Sequence, residues 1–260
     1  MLRDWGSRDA AFIAMNRRVR ERLVAGRRRG NPCLCAGAGL RHLRGGSGDR
    51  HAGARGGKLL VDAMSAFGAL PLDLGRTPCE AVMASANKCL EGVPGLGFVI
   101  ADRANLEAAE GNVHSLTLDL NAQWRGFERN GQWRFTLPTH VVAVFDRALD
   151  EHAAEGGVAG RGARYRRNMQ ILLEGMAAYG FESLLPADPA FAFDRFYDGL
   201  RERGYVIYPG KLTIADSIRI GCIGRLGEAQ MRGALAAVGA VLAEMGVRSG
   251  APGQVERSEG

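Results

Sequence analysis

Lysine is nearly missing from this chain. Among 34 Lys plus Arg in 260 residues, only Lys58, Lys88 and Lys211 are lysines. Where Arg serves everywhere else, a remaining lysine raises the question of what an amine does there that a guanidinium cannot. Long apolar runs are also lacking: none approaches the roughly 20 residues of a membrane span. The N-terminal MLRDWGSRDAAF has no apolar core of secretory-leader type. No membrane partner and a cytoplasmic location are therefore expected. The five cysteines (Cys33, Cys35, Cys79, Cys89, Cys222) are odd in number and form no C-x-x-C pair. That excludes a disulfide framework and a zinc finger, and predicts reduced thiols. Cys89 and Cys222 read as small buried residues rather than nucleophiles. His42, His51, His114, His140 and His152 show no ligand spacing, so no metal site is expected.

The net charge of +6 invites a nucleic-acid reading, but its source argues against one. Residues 27–58 hold seven Arg and Lys58 against the single acid Asp49, and the rest of the chain sums to −1. A phosphate-reading surface spreads its charge over a folded face with polar or aromatic readers beside it. No nucleic-acid partner is expected.

Hydrophobic periodicity predicts an α/β chain. Residues 8–25 read as a helix with Phe12, Met15, Val19 and Leu23 on one face and Ser7 as N-cap. Residues 27–57 are crowded with Gly and Arg, show neither period, and are expected to be disordered. Strands are predicted at Leu59–Val61, ending on Asp62, at Ala81–Met83 and at Gly97–Ile100. A helix over 138–153 points Val141, Val142, Val144, Phe145 and Leu149 inward. A longer one over 161–179 carries Tyr165, Met169, Leu172, Leu173 and Met176 on one stripe. A helix at 194–203, strands at 205–208 and 217–222, and a final helix at 228–245 complete the pattern. The organisation expected is an N-terminal helical segment (1–26), the anomalous stretch (27–57), a large-domain remnant (58–160), a small C-terminal α+β domain (161–248) and a tail (249–260).

In open α/β sheets, functional groups collect at the carboxyl ends of strands. Asp62 sits at one such end. Lys88, in ASANKCLEGVPG, follows another among small residues that allow a planar ligand to approach. A lysine amine forms a Schiff base with a carbonyl, which a guanidinium cannot. An aspartate against a pyridine nitrogen keeps that nitrogen protonated, the pairing that pyridoxal phosphate (PLP) chemistry asks of a protein. On their own, the two residues read more readily as a strand-end carboxylate on solvent and a snorkelling surface lysine.

The blocks LLVDAMSAFGALPLDL, SANKCLEGVPGLGFVIADR, QWRFTLPTHVV, RYRRNMQILLEGM and GYVIYPGKLTIADSIRIGCIG resemble the 2-aminoethylphosphonate–pyruvate aminotransferases, class V aminotransferases of PLP fold type I. RDWGSRDAAFIAMNRRVRERL is similar to that family's N-terminal segment. The resemblance implies that Lys88 is the Schiff-base lysine, which also shuttles the proton between substrate Cα and cofactor C4′. It implies that Asp62 pairs with the pyridinium nitrogen and that Arg219 grips the carboxylate of pyruvate or alanine. A solvated strand charge is the other reading of Arg219. Thr136 matches the hydroxyl offered to the cofactor phosphate, and reads equally as a helix N-cap. Ser85 is a further cofactor contact or a small packing residue; Lys211 is structural or faces the site. The implied reaction is ping-pong: aminoethylphosphonate gives up its amino group and leaves as phosphonoacetaldehyde, and pyruvate takes it and leaves as alanine. The family's members are homodimers.

The chain departs from the family in its length, shorter by roughly a hundred residues. The Gly-Ser-Gly-Thr turn that opens a helix and holds the cofactor phosphate is not recognisable, nor are several large-domain strands. Leu59-Leu60 runs straight into Val61-Asp62, and a shorter gap follows Leu184-Leu185-Pro186. The abrupt change of texture after Val24-Ala25 suggests that residues 27–57 are a shifted-frame translation of the segment that should carry that turn. The expected fold is thus type I with an incomplete large domain. The alternatives in function are an alanine–glyoxylate or serine–pyruvate aminotransferase, or a catalytically inactive remnant of the family.

Overall fold

The computed structural model describes residues 9–25, 33–37 as backbone, 59–72, 79–181, 185–210 and 217–251. The chain divides into two units, Met1–Gly162 and Ala163–Gly260.

The first unit opens with α1, Ala10–Val24. Asp9 is its N-cap, accepting the N–H groups of Ala11 and Phe12, so the cap is not Ser7, which lies outside the described residues. Phe12, Met15, Val19 and Leu23 are buried as the spacing predicts. The central sheet contains β1 (Cys33–Gly37), β2 (Leu60–Asp62), β3 (Ala81–Ser85) and β4 (Gly97–Ala101), in the order β1-β4-β3-β2. β2 runs parallel to β3, with Asp62 opposite Met83. β4 is antiparallel to both its neighbours. The reason is connection length: residues 86–96 are too few to carry a crossover, so β3 turns back on itself. Within the stretch expected to be disordered, Cys33–Gly37 instead forms β1. The rest of 27–57 lies outside the described residues.

Both faces of β3 and β4 are covered. Val82, Ala84, Phe98 and Ile100 pack into one cluster with Phe12, Met15, Val19, Phe145 and Leu149. Met83, Val99 and Ala101 face the other way and pack with Leu106 and Trp124. Alternate side chains point to opposite faces, so burial on both makes each strand read as a continuous apolar run. The second cluster rests on two helices that the periodicity missed, α2 (Arg103–Ala108) and α3 (Leu120–Asn130). Their buried positions include Asn121, Gln123 and Gly126, which break the apolar pattern.

On the first face lies α4, Thr139–Ala154, with Val142, Phe145 and Leu149 buried. Val144, expected inward, is exposed because it falls off that spacing. Phe145 stacks on Phe98 with ring centroids 5.9 Å apart. Asp146 of α4 accepts from Arg18 and Arg22 of α1 and fixes the two helices together. α5, Gly157–Ala178, begins four residues before the predicted 161 and carries the chain into the second unit. Its buried stripe is Arg161, Tyr165, Asn168, Ile171 and Leu172; the predicted Met169 and Leu173 are exposed.

The second unit packs α6 (Phe193–Glu202) against α7 (Glu228–Met245) around Phe181, Phe196, Leu200, Val238, Val241 and Leu242. An added Cβ on Gly199 would lie 3.0 Å from Val241, so glycine is what lets these helices approach. The predicted strands shorten to a two-residue ladder, β5 (Tyr208–Pro209) against β6 (Ile218–Arg219). Asn168 donates to the Cys222 and Leu226 carbonyls, and Arg164 donates to those of Gly224 and Leu226. The start of the expected tail is not loose: Gly250 is buried and donates to the Tyr179 carbonyl. Among the described residues, no helix is long and apolar enough to cross a membrane.

Two outcomes are expected. Phe145→Ala should lower unfolding free energy by about 3–5 kcal/mol in urea denaturation, because it empties a fully buried stacked position. The N–H groups of Arg248 and Ala190 bond to the Asp188 carboxylate and hold its pKa below the ordinary value. Its contribution is therefore present above about pH 4 and is lost as the pH falls through the folded-state value. Asp188→Asn should flatten the loss of stability with acid in that window; equal slopes for parent and variant would refute this.

Candidate active site

The β2–β3 ladder sets the site. Two parallel strands end side by side, so Asp62 and the residues following Ser85 share the carboxyl end of the sheet. The Ala63 N–H bonds to the Met83 carbonyl and continues the ladder by one residue. Oδ1 of Asp62 accepts the Met64 N–H at 2.9 Å, which fixes the carboxylate at the mouth of the strand.

Lys88 sits in the connection between β3 and β4. The Ala86 N–H donates to the Leu96 carbonyl, Gly92 to Ala86, and Glu91 to Lys88. Ala86, Cys89 and Leu90 are buried while Lys88 is exposed, so the backbone is anchored and the amine projects outward. The turn is tight. Glu91 adopts φ 58, and a Cβ on Gly92 would stand 3.0 Å from the Ala86 carbonyl oxygen. The Cys89 thiol donates to the Ser65 carbonyl at 3.1 Å, tying the Lys88 turn to the loop that follows Asp62. That loop is held from α4 as well, where His152 Nε2 lies 2.7 Å from the Gly68 carbonyl oxygen.

One atom at this place points to a ligand. Ser85 Oγ is buried and has no hydrogen-bond partner, a costly state for a hydroxyl. A carboxylate, an exposed amine and an unpartnered hydroxyl are groups of the kinds that the ring end of pyridoxal phosphate takes. Thr136 lies in the same unit and is exposed. Its neighbour Leu137 is buried in the cluster that contains Ala86 and Leu90. The N-cap of α4 is Pro138, with no side-chain cap bond, so the alternative reading of Thr136 as a cap is not what the structure shows. Arg219 belongs to the second unit, exposed on β6 opposite Tyr208. Lys58 and Lys211 lie outside the described residues.

Sequence reasoning missed Arg161. Its side chain is 1% exposed and contacts the Lys88 turn, donating to the Cys89 carbonyl at 2.6 Å. In the sequence, nothing separates such an arginine from the solvent-facing ones around it. Burial raises the pKa of the thiols of Cys79 and Cys222, with Glu80 adding to the effect at Cys79, which disfavours a nucleophilic role for either. Among the described residues, no group of three or more His, Cys, Asp or Glu is placed to hold a metal ion.

The chain is 53% identical over 213 residues to the 2-aminoethylphosphonate–pyruvate transaminase of Rhizobium meliloti, covering 76% of this chain and 56% of that protein. It is 52% identical over 207 residues to a transaminase of the same name from Burkholderia lata, covering 74% and 55%. It thus spans about half the length of the curated relatives it matches. No protein-family profile matches it. In structure it is similar to a subgroup IV aspartate aminotransferase from Thermus thermophilus, with a TM-score of 0.76 at 16% identity over 94% of both chains. Pyridoxamine–pyruvate aminotransferase from Mesorhizobium loti matches with a TM-score of 0.66 at 21% identity, over 76% of this chain and 56% of that one. With more than half of the matched residues identical, the chain is over that part a homologue of 2-aminoethylphosphonate–pyruvate transaminases, on the fold of the aminotransferases.

Proposed function

We propose that the chain transfers the amino group of 2-aminoethylphosphonate to pyruvate, giving phosphonoacetaldehyde and alanine, with pyridoxal phosphate as cofactor and as a cytoplasmic homodimer. The observation that carries this reading is Lys88, exposed on an anchored turn beside Asp62 at the carboxyl end of β2 and β3. Identity to transaminases of that name supports the choice of substrates.

When bound, pyridoxal phosphate supplies a carbonyl that captures amines and a ring that accepts an electron pair. The residues of the chain do the rest. Lys88 Nζ provides the attachment point and carries the proton removed from the amine-bearing carbon of the substrate. The Asp62 carboxylate keeps the ring nitrogen protonated. Ser85 Oγ, buried without a partner, would be a donor to the cofactor when it binds, and the Thr136 hydroxyl would be one for its phosphate. Arg219, on β6 of the second unit, has the planar fork of donors that would suit the carboxylate of pyruvate.

Borohydride reduction of the chain incubated with pyridoxal phosphate, followed by peptide mass spectrometry, should place the trapped pyridoxyl group on Lys88. Lys88→Ala should abolish that adduct and lower alanine formation at least about a hundredfold. Parent protein with no adduct at Lys88 would make the chain a non-catalytic member of the family. Turnover of serine or glyoxylate without turnover of aminoethylphosphonate would replace the substrate.

A further inference from the structure

The largest of the nearly inaccessible side chains is a charged one. Arg161 is 1% exposed, on the first turn of α5. Taking a guanidinium out of water costs several kcal/mol unless its donors are met. Nε donates to Glu155 Oε2 at 2.6 Å, and Nη1 donates to the Cys89 carbonyl at 2.6 Å and lies 3.5 Å from Glu91 Oε2. The Glu91 side chain is itself only 8% exposed. The guanidinium therefore grips the Lys88 turn at two points, one residue and three residues after the lysine.

Those two points are where the turn needs holding. Glu91 is the one described non-glycine residue in the left-handed region, with φ 58, a conformation that ordinary side chains disfavour. The Lys88 carbonyl is occupied by the Glu91 N–H, and the next carbonyl, that of Cys89, by Arg161. Lys88 is thus fixed in backbone direction while its side chain stays exposed. Packing alone does not call for this arrangement, since a well-packed apolar residue in place of a buried ion cluster is often neutral or stabilising. A fork of rigid donors does what an apolar residue cannot: it binds a carbonyl and a carboxylate of one strained turn at once.

Resting on the transaminase reading above, we infer that Arg161 is a positioning residue for Lys88, setting the direction from which the amine meets the cofactor. It acts through the Cys89 carbonyl and the Glu91 carboxylate and touches neither cofactor nor substrate.

Two measurements on the full chain test this. In the cofactor-free protein, hydrogen–deuterium exchange of Arg161→Met should speed the Glu91 and Gly92 amides at least about tenfold, with Val82 and Phe98 unchanged. With pyridoxal phosphate added, the concentration needed for half-maximal trapping at Lys88 should rise about tenfold, and Arg161→Lys should recover part of the loss. Acceleration spread evenly over β3 and β4 would reduce Arg161 to a packing role and overturn the inference. So would unchanged exchange at Glu91 and Gly92. If Arg161→Met does not fold, Glu155→Gln removes the charge partner of Nε and should produce the same local effect at smaller size; its absence overturns the inference. Should the parent form no adduct at Lys88, the transaminase reading falls, and the exchange experiment alone decides whether Arg161 fixes the turn.

Discussion

The parallel pairing of β2 with β3 is the constraint on which the site depends. Three residue pairs, ending at Asp62 and Met83, bring two strand ends to one edge of the sheet. A carboxylate at the mouth of one strand and a lysine just past the other then lie at a common end without any long-range loop having to deliver them. The antiparallel return of β4 completes the arrangement. It makes the Lys88 connection a closed turn, bonded at Ala86–Leu96.

The energetics of this unit divide by depth. Apolar burial on both faces of β3 and β4 supplies a rigid floor, and its clusters reach up to Ala86 and Leu90 on either side of the lysine. Above that floor, polar groups set direction: Arg161 on the Cys89 carbonyl, the Cys89 thiol on Ser65, His152 on Gly68. The unpartnered Ser85 hydroxyl stands at the boundary between the two layers.

What could be read in advance follows from the same division. The places of Asp62 and Lys88 at and just past strand ends were legible because the apolar runs before them mark buried strands, and α7 because its apolar spacing runs unbroken from Met231 to Met245. Polar residues inside apolar stripes were not legible. Arg161 and Asn168 occupy the buried line of α5, displacing the Met169 and Leu173 that hydrophobicity selected, because the N–H donors of each reach backbone carbonyls that sequence cannot locate. α3 hid in the same way, with Asn121 buried against the Leu106 carbonyl. Family resemblance reached Thr136 and Arg219, which local pattern alone left ambiguous.

The strand β1 has a consequence of its own. Cys33–Gly37 meets β4 through five consecutive pairs, from Cys33 opposite Ala101 to Gly37 opposite Gly97. A ladder of that kind is made of N–H and C=O groups, which every residue but proline presents alike. The place beside β4 therefore selects for extension and length rather than composition. It is a socket for backbone, filled here by a stretch whose side-chain pattern announces no strand at all.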